Sequence, residues 1–227
     1  MGSPDLVINR HNAFKRVDPE HRRQLAAIPS SMLGDGMGRR RGLGRNVQAL
    51  AGGRAFSGSA LTIRCRGGDN LAALVALSSI RPGDVVVIAT GGNVEAAVIG
   101  GNYVSMAKAR GAVAVITDGL VRDLDELDEI GLPIYGAGVT PNGPFKTGPG
   151  EIGVPVTLGD LPILPGDALV GDRDGVVAIP AARVQEAIEK GRAVQAREAS
   201  MAESNAKGEI PAWLAQLIEA VPVRDLD

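Results

Sequence analysis

Two histidines, His11 and His21, and one cysteine, Cys65, are all that 227 residues contain of those two types. A single cysteine excludes an intramolecular disulfide and a cysteine-cluster metal site, and it fits a reducing compartment. Both histidines stand among polar residues near the N-terminus and read as surface groups. With so few of either residue, Ser-His-Asp and Cys-His mechanisms and a zinc cage are hard to assemble. Aromatic residues are 3% of the chain, which starves any stacking platform for single-stranded nucleic acid. Lys plus Arg (24) and Asp plus Glu (26) nearly balance at a formal charge of −2, so no basic groove for nucleic acid is expected. No apolar run approaches the roughly 18 residues of a membrane span, and "MGSPDLVINRHNAFKRV" lacks the apolar centre of an export signal. A soluble, cytoplasmic protein is the expectation.

Hydrophobic residues make up 44% of the chain, enough for a sizeable core, and 31 glycines imply many tight turns. "PEHRRQLAAIPSSML" predicts a helix up to Ile28–Pro29, with a short second helix from Ser30 or Ser31. Three arginines, Arg39 to Arg41, follow in a glycine-rich turn and read as a solvated or interface face. "SALTIRCR" alternates like a strand, and "GDNLAALVALSSIRPGDVVVIAT" reads as a helix running into a buried strand at Val85–Ala89. "NVEAAVIGGNYVSMAKARG" reads as a helix with a glycine pair inside it, followed by the apolar strand "AVAVIT". This β-α-β-α order implies a partly parallel sheet with covered faces. From Leu132 to Pro180, short strands broken by Pro-Gly, Asn-Gly and Asp-Gly turns form a β layer. Beyond Pro180 come a long helix, a break at Gly208–Pro211 and a short amphipathic helix, so the chain divides into an α/β body, 1–180, and a C-terminal helical arm, 181–227.

The scarcity of nitrogen and sulfur ligands means that any metal would be hard and oxygen-bound, which suits Mg²⁺ or Mn²⁺. Asp118 and Asp123 both follow "AVAVIT", and ligands of open α/β sheets bind beyond the carboxyl ends of strands. Arg122 beside Asp123 could clamp a carboxylate bidentately while the aspartate anchors a cation that the same ligand chelates, a combination suited to a 2-oxo acid. The competing reading is a turn, in which Arg122 pairs with a nearby acid and Asp123 caps the helix "LDELDEI". Gly100 and Gly101 could let backbone N–H groups approach an anion, or could serve tight helix packing. Asp167, Asp172 and Asp174 lie around two turns, and their spacing departs from a helix-flanked calcium loop, so they read as turn formers.

Six blocks in series carry a resemblance: "SSMLGD", "GSALTI" with "GDN", "RPGDVVVI", "AKARGAVAVITDGLVRD", "GVPVTLGDLPILPGD" and "GDRDGVVAIP". From about Ser30 to Pro180 the chain resembles the RraA-like family, which includes the class II 4-hydroxy-4-methyl-2-oxoglutarate / 4-carboxy-4-hydroxy-2-oxoadipate aldolases. The resemblance implies a three-layer α/β/β sandwich of the swivelling-domain type, assembled as a homotrimer or a hexamer. It implies that Asp123 holds a divalent cation largely through waters and that Arg122 binds the pyruvate portion of the substrate. The backbone of a glycine-led helix start also contacts pyruvate in these aldolases, which maps to Gly100, Gly101, Asn102 and Tyr103. Many members carry an acidic residue after the first glycine, where this chain has Gly101. A glutamate from a neighbouring subunit's arm maps to Glu198, with Glu203 as the alternative. The implied reaction is retro-aldol cleavage through a pyruvate enolate, which oxaloacetate decarboxylation also traverses.

The same family includes RraA, an inhibitor that binds ribonuclease E, and a regulator of that type is the alternative the resemblance leaves open. RraA-type regulators are shorter, and the Glu-bearing arm beyond Pro180 favours an enzyme. A third reading is a related lyase acting on another hydroxy or oxo acid, because "GVTPNGPFKTGPGEIG" is unlike the common aldolase version of that loop.

Overall fold

The run Asp84–Ala89 is buried at every position in the computed structural model of this chain, as a strand covered on both faces must be. The structure describes residues 7–39, 41–44, 46–53 and 55–224; Arg40, in the middle of the three arginines, lies outside them. Along the chain run β1 (Ile8–Arg10), α1 (Pro19–Ala26), α2 (Ser30–Gly36), β2 (Gln48–Ala51), β3 (Phe56–Cys65), α3 (Leu71–Ala76) and β4 (Asp84–Ala89). Then come β5 (Ala97–Ile99), α4 (Gly101–Ala109), β6 (Ala114–Thr117), β7 (Leu120–Val121), α5 (Leu124–Ile130), β8 (Ile134–Gly136) and β9 (Gly138–Val139). The remainder is β10 (Gly150–Ile152), β11 (Val156–Leu158), β12 (Leu161–Ile163), β13 (Ala168–Asp172), β14 (Gly175–Ile179), α6 (Val184–Ala206) and α7 (Ala212–Ala220).

The main sheet has the order β1-β10-β3-β4-β6-β8-β2, with β13 and β14 attached through β3. Its centre, β3-β4-β6-β8, is parallel throughout, and each crossover carries one of the helices α3, α4 and α5. Alternation divides the strands between two cores. Val86 and Ile88 face the helices with Leu61, Ile63 and Val115, while Val85 and Val87 face a β layer formed by Val156, Leu158, Ile163, Leu169 and Val176. The layers therefore stack α/β/β, in accord with the sequence reading.

A third core packs α1, α2 and the first half of α6 on the β13–β14 hairpin through Leu25, Ile28, Leu33, Val170, Val177 and Ile188. The helix break at Pro29 is where the sequence places it, although the hydroxyl of Ser30 donates to Asp172 and does not cap α2. The expected arm begins as part of the body: Val184, Ala187 and Ile188 are buried. Beyond Val194 the helix loses that cover, and α7 buries no residue, with Trp213, Leu217 and Ile218 about half exposed.

One expected element is corrected. The segment before Gly100 is not helical: Ala97–Ile99 is a buried strand paired in parallel with β7, and the helix starts at Gly101. Val98 and Ile99 are β-branched, and edge pairing with β7 outweighs the helical periodicity of the surrounding sequence. The glycine pair thus marks the head of a helix and does not interrupt one.

Candidate active site

Three of the four central parallel strands are followed by a short second strand: β5 after β4, β7 after β6 and β9 after β8. These three form their own parallel sheet, in the order β5-β7-β9. The candidate site is built where this small sheet ends. In its register Ile99 faces Val121, and Val121 faces Val139. Arg122 N–H donates to the Ile99 carbonyl (3.2 Å), and Thr140 N–H donates to the Val121 carbonyl (3.0 Å). Gly100, Arg122 and Thr140, each one residue past its strand, are therefore brought side by side.

Asp123 adopts a left-handed backbone, φ 65 and ψ 44, a conformation that costs a non-glycine residue free energy. It occupies the N-cap position of α5 yet makes no capping hydrogen bond. Its Oδ2 instead accepts from Gly101 N–H at 3.1 Å, at the head of α4, where the helix dipole favours negative charge. Arg122 Nε lies 3.5 Å from the same oxygen. The two side chains are 42% and 39% exposed, so the pair stands on an open face of the single chain. Of the two parts of the turn reading, the pairing of Arg122 with an acid is present, with Asp123 itself, and the cap is not.

Both glycines stand where a carboxylate approaches closely. A Cβ on Gly100 would fall 2.3 Å from Asp123 Oδ2, and one on Gly101 would fall 1.9 Å from the Glu126 carboxylate. Among the described residues the N–H groups of Asn102 and Tyr103 have no hydrogen-bond acceptor, as expected in the first turn of a helix, and they are available at the same head. The Tyr103 side chain is buried in the helix-side core, and burial raises its hydroxyl pKa, so only its backbone faces the site.

The loop "GVTPNGPFKTGPGEIG", unlike the common aldolase version, backs the arginine. A Cβ on Gly143 would lie 3.0 Å from Arg122 Nη1. Asp69 anchors this loop, its Oδ2 accepting from Thr147 N–H, the Thr147 hydroxyl and Gly148 N–H, while Oδ1 takes Leu71 N–H. Burial pushes the Asp69 carboxyl up, but those hydrogen bonds outweigh it and hold the group below its ordinary value. Asn70 adds two ties, its backbone N–H donating to the Phe145 carbonyl and its Nδ2 donating to the Val98 carbonyl, both at 3.0 Å. The block "GDN" offered these residues, but nothing local assigned them to a loop more than 70 positions away.

Asp118 separates from Asp123, although both follow β6. Its carboxylate accepts from Thr90 N–H (2.6 Å), the Thr90 hydroxyl (2.9 Å) and Gly92 N–H (2.9 Å), beside a cavity of about 630 Å³ also lined by Asn46, Gln48 and Thr157. That cavity excludes Arg122 and Asp123. The Arg122–Asp123 pair is the candidate site in preference to this cavity, because the one charged group lining the cavity is already occupied in holding a turn. Cys65 is buried, which pushes its thiol up to about 12 and keeps it from acting as a nucleophile. Asp167 and Asp172 hold turns as expected: Asp167 accepts from Leu164 and Ala181 N–H groups, and Asp172 from Ser30 and Asp174. Glu198 is exposed on α6, which packs in the third core, and no hydrogen bond or ion pair joins it to Arg122 or Asp123 within one chain. The side chain of Glu203 lies outside the described residues.

Comparison with known proteins places the chain in a family. Residues 30–178 match the RraA-like family described as Aldolase/RraA. A protein of Halalkalibacterium halodurans, carried under the provisional name 4-hydroxy-4-methyl-2-oxoglutarate aldolase, is 35% identical over 76% of this chain and 82% of its own length. The 4-hydroxy-4-methyl-2-oxoglutarate aldolase of Thermus thermophilus is 35% identical over 57% of this chain and 79% of its own. Among solved structures, Streptomyces coelicolor RraAS2, an unusual member of the RNase ES inhibitor RraA family, superposes with a TM-score of 0.70 at 29% identity, covering 86% of this chain and all of that one. The chain belongs to the RraA-like family.

Proposed function

We propose that this protein is a divalent-cation-dependent aldolase that cleaves 4-hydroxy-4-methyl-2-oxoglutarate-type 2-oxo acids to pyruvate and decarboxylates oxaloacetate at the same site. The observation that carries this reading is the left-handed Asp123, whose carboxylate forgoes its cap and turns onto Gly101 N–H beside Arg122. The names of the aldolase relatives support the substrate class.

The donor set fits a hard, hydrated cation. Asp123 Oδ1 has no hydrogen-bond partner among the described residues, and no three His, Cys, Asp or Glu side chains converge there or elsewhere among them. One carboxylate anchor with the remaining positions left to water and substrate is how Mg²⁺ or Mn²⁺ is commonly held. Such a cation, when bound, polarises the substrate's keto group and lowers the pKa of a neighbouring water. The chain's own groups do the rest. Arg122 offers a planar fork to the substrate carboxylate and faces the negative charge that develops when the carbon–carbon bond breaks. The N–H groups of Asn102 and Tyr103 supply further fixed donors at the positive end of α4. In a homotrimer or hexamer, Glu198 of an adjoining subunit would join this open face.

A coupled pyruvate assay with 4-hydroxy-4-methyl-2-oxoglutarate and with oxaloacetate tests the reading. Pyruvate should appear with Mg²⁺ or Mn²⁺, stop on addition of EDTA, and be absent from Asp123→Ala. No metal-dependent pyruvate from either compound refutes the proposal. That result would leave the regulator reading, which the likeness to the RNase ES inhibitor favours and which inhibition of purified ribonuclease E would test.

A further inference from the structure

Gly101 is the point at which two carboxylates meet. Its N–H holds Asp123 Oδ2, and the space where its own side chain would be is filled by Glu126, with the carboxyl carbon and Oε2 both 1.9 Å from the absent Cβ. Glu126 stands three residues after Asp123, in the first turn of α5, where a glutamate ordinarily reaches back to the N-cap N–H. It makes no such bond. Among the described residues its carboxylate has no hydrogen-bond or ion-pair partner, and it leans across to the head of the neighbouring helix. A free carboxylate in the space left by the absent side chain of Gly101, whose N–H holds Asp123, is placed to exchange protons with a ligand held at the Arg122–Asp123 pair.

We infer that Glu126 is the proton acceptor for aldol cleavage, an inference that rests on the aldolase reading. Glu126 takes the proton of the substrate's C4 hydroxyl. The C3–C4 bond breaks, the C4–O bond becomes a carbonyl, and the released electron pair forms the enolate of pyruvate. Glu126 then returns the proton to C3, so the carboxylate ends as it began. Oxaloacetate decarboxylation has no hydroxyl proton to remove: CO₂ leaves with no base, and solvent protonates the enolate. The two reactions therefore make different demands on this one residue.

The test compares wild type with Glu126→Gln on both substrates, with Mn²⁺ affinity measured separately by electron paramagnetic resonance. Glu126 is exposed, so the variant keeps its fold, which its melting temperature checks. The expected result is a kcat for 4-hydroxy-4-methyl-2-oxoglutarate cleavage lower by about 100-fold or more. Decarboxylation and Mn²⁺ affinity stay within about threefold. Equal loss of both activities, or loss of neither, overturns the role of Glu126 while leaving the aldolase reading intact. If wild type cleaves neither substrate, the functional reading itself has failed, and this inference with it.

Discussion

Replacing Gly100 with alanine tests whether the Asp123 carboxylate must stand where it does. Gly100 is extended, with φ −155 and ψ −169, so alanine brings no backbone strain. Its methyl would fall 2.3 Å from Asp123 Oδ2, 3.0 Å from Arg122 Cγ and 3.1 Å from Arg122 Nε. Non-bonded heavy atoms settle at roughly 3.5 Å, so the carboxylate has to retreat by about 1 Å and the arginine stem has to follow. The bond from Gly101 N–H, already 3.1 Å long, does not survive that displacement. The lost bond ends on a side chain 39% exposed, so its cost in stability is near 1 kcal/mol, below the roughly 1.5–3 kcal/mol of a buried charged bond. In a chain of this length that lowers the melting temperature by about 2–4 °C. Catalysis is more sensitive, because a displacement of about 1 Å at reacting groups costs on the order of 100-fold. Gly100→Ala should therefore lose about 100-fold in kcat/KM for pyruvate release from both substrates, with weaker Mn²⁺ binding and a nearly unchanged melt. A variant that keeps more than about a tenth of wild-type kcat/KM refutes the reasoning, because the pair would then tolerate displacement.

Two further outcomes concern the scaffold. Asp84 is fully buried at the start of β4 and accepts from Arg16 Nε at 2.7 Å, Arg16 Nη2 at 2.9 Å and Arg81 N–H at 2.9 Å. Asp84→Ala strands the largely covered guanidinium and should cost about 3–5 kcal/mol in urea unfolding; a loss under about 1 kcal/mol refutes the burial argument. Asp172 is pushed up by burial, but bonds from the Ser30 N–H and hydroxyl (both 2.7 Å) and from Asp174 N–H outweigh that and hold it below its ordinary value. Its folded pKa lies below its unfolded one, so its contribution is present above the ordinary carboxylate range and is lost as pH falls through the folded value. The melting temperatures of wild type and Asp172→Asn should differ at pH 7 and converge toward about pH 3, and a constant difference across that range would count against this account.

The strands of the centre were legible because parallel β-strands covered on both faces need apolar residues at consecutive positions, and "DVVVIA" and "AVIT" are such runs. The break between α1 and α2 was legible because proline acts on its own neighbour. β5 was not. Its three residues take their state from pairing with β7, more than 20 positions away, and nothing within "VEAAVIGG" distinguishes that strand from a turn of helix. Asp69 and Asn70 escaped for the same reason, since their partners lie across the fold. Glu126 carried a faint local signal, its spacing of three from Asp123, which puts both on one face of a first helical turn. That spacing ordinarily means a cap, and only the neighbouring helix shows where the carboxylate goes.

The glycine pair shows how little composition says until register is known. In the sequence Gly100 and Gly101 are interchangeable signs of close approach. In the structure they admit different groups: Gly100 makes room for Asp123, and Gly101 makes room for Glu126 while binding Asp123 through its N–H. Both acids come from one turn about 22 residues later, and what aligns that turn with the glycines is the parallel register in which Ile99 faces Val121. Shifting that register by one residue would set Gly100 beside a buried valine and turn alternate side chains to the opposite face, so neither carboxylate would meet its glycine. The candidate site is thus specified by a two-residue strand as much as by its charged residues, and the β-branched Ile99 and Val121 that face each other in this pairing position it as fully as Arg122 and Asp123 furnish its charge.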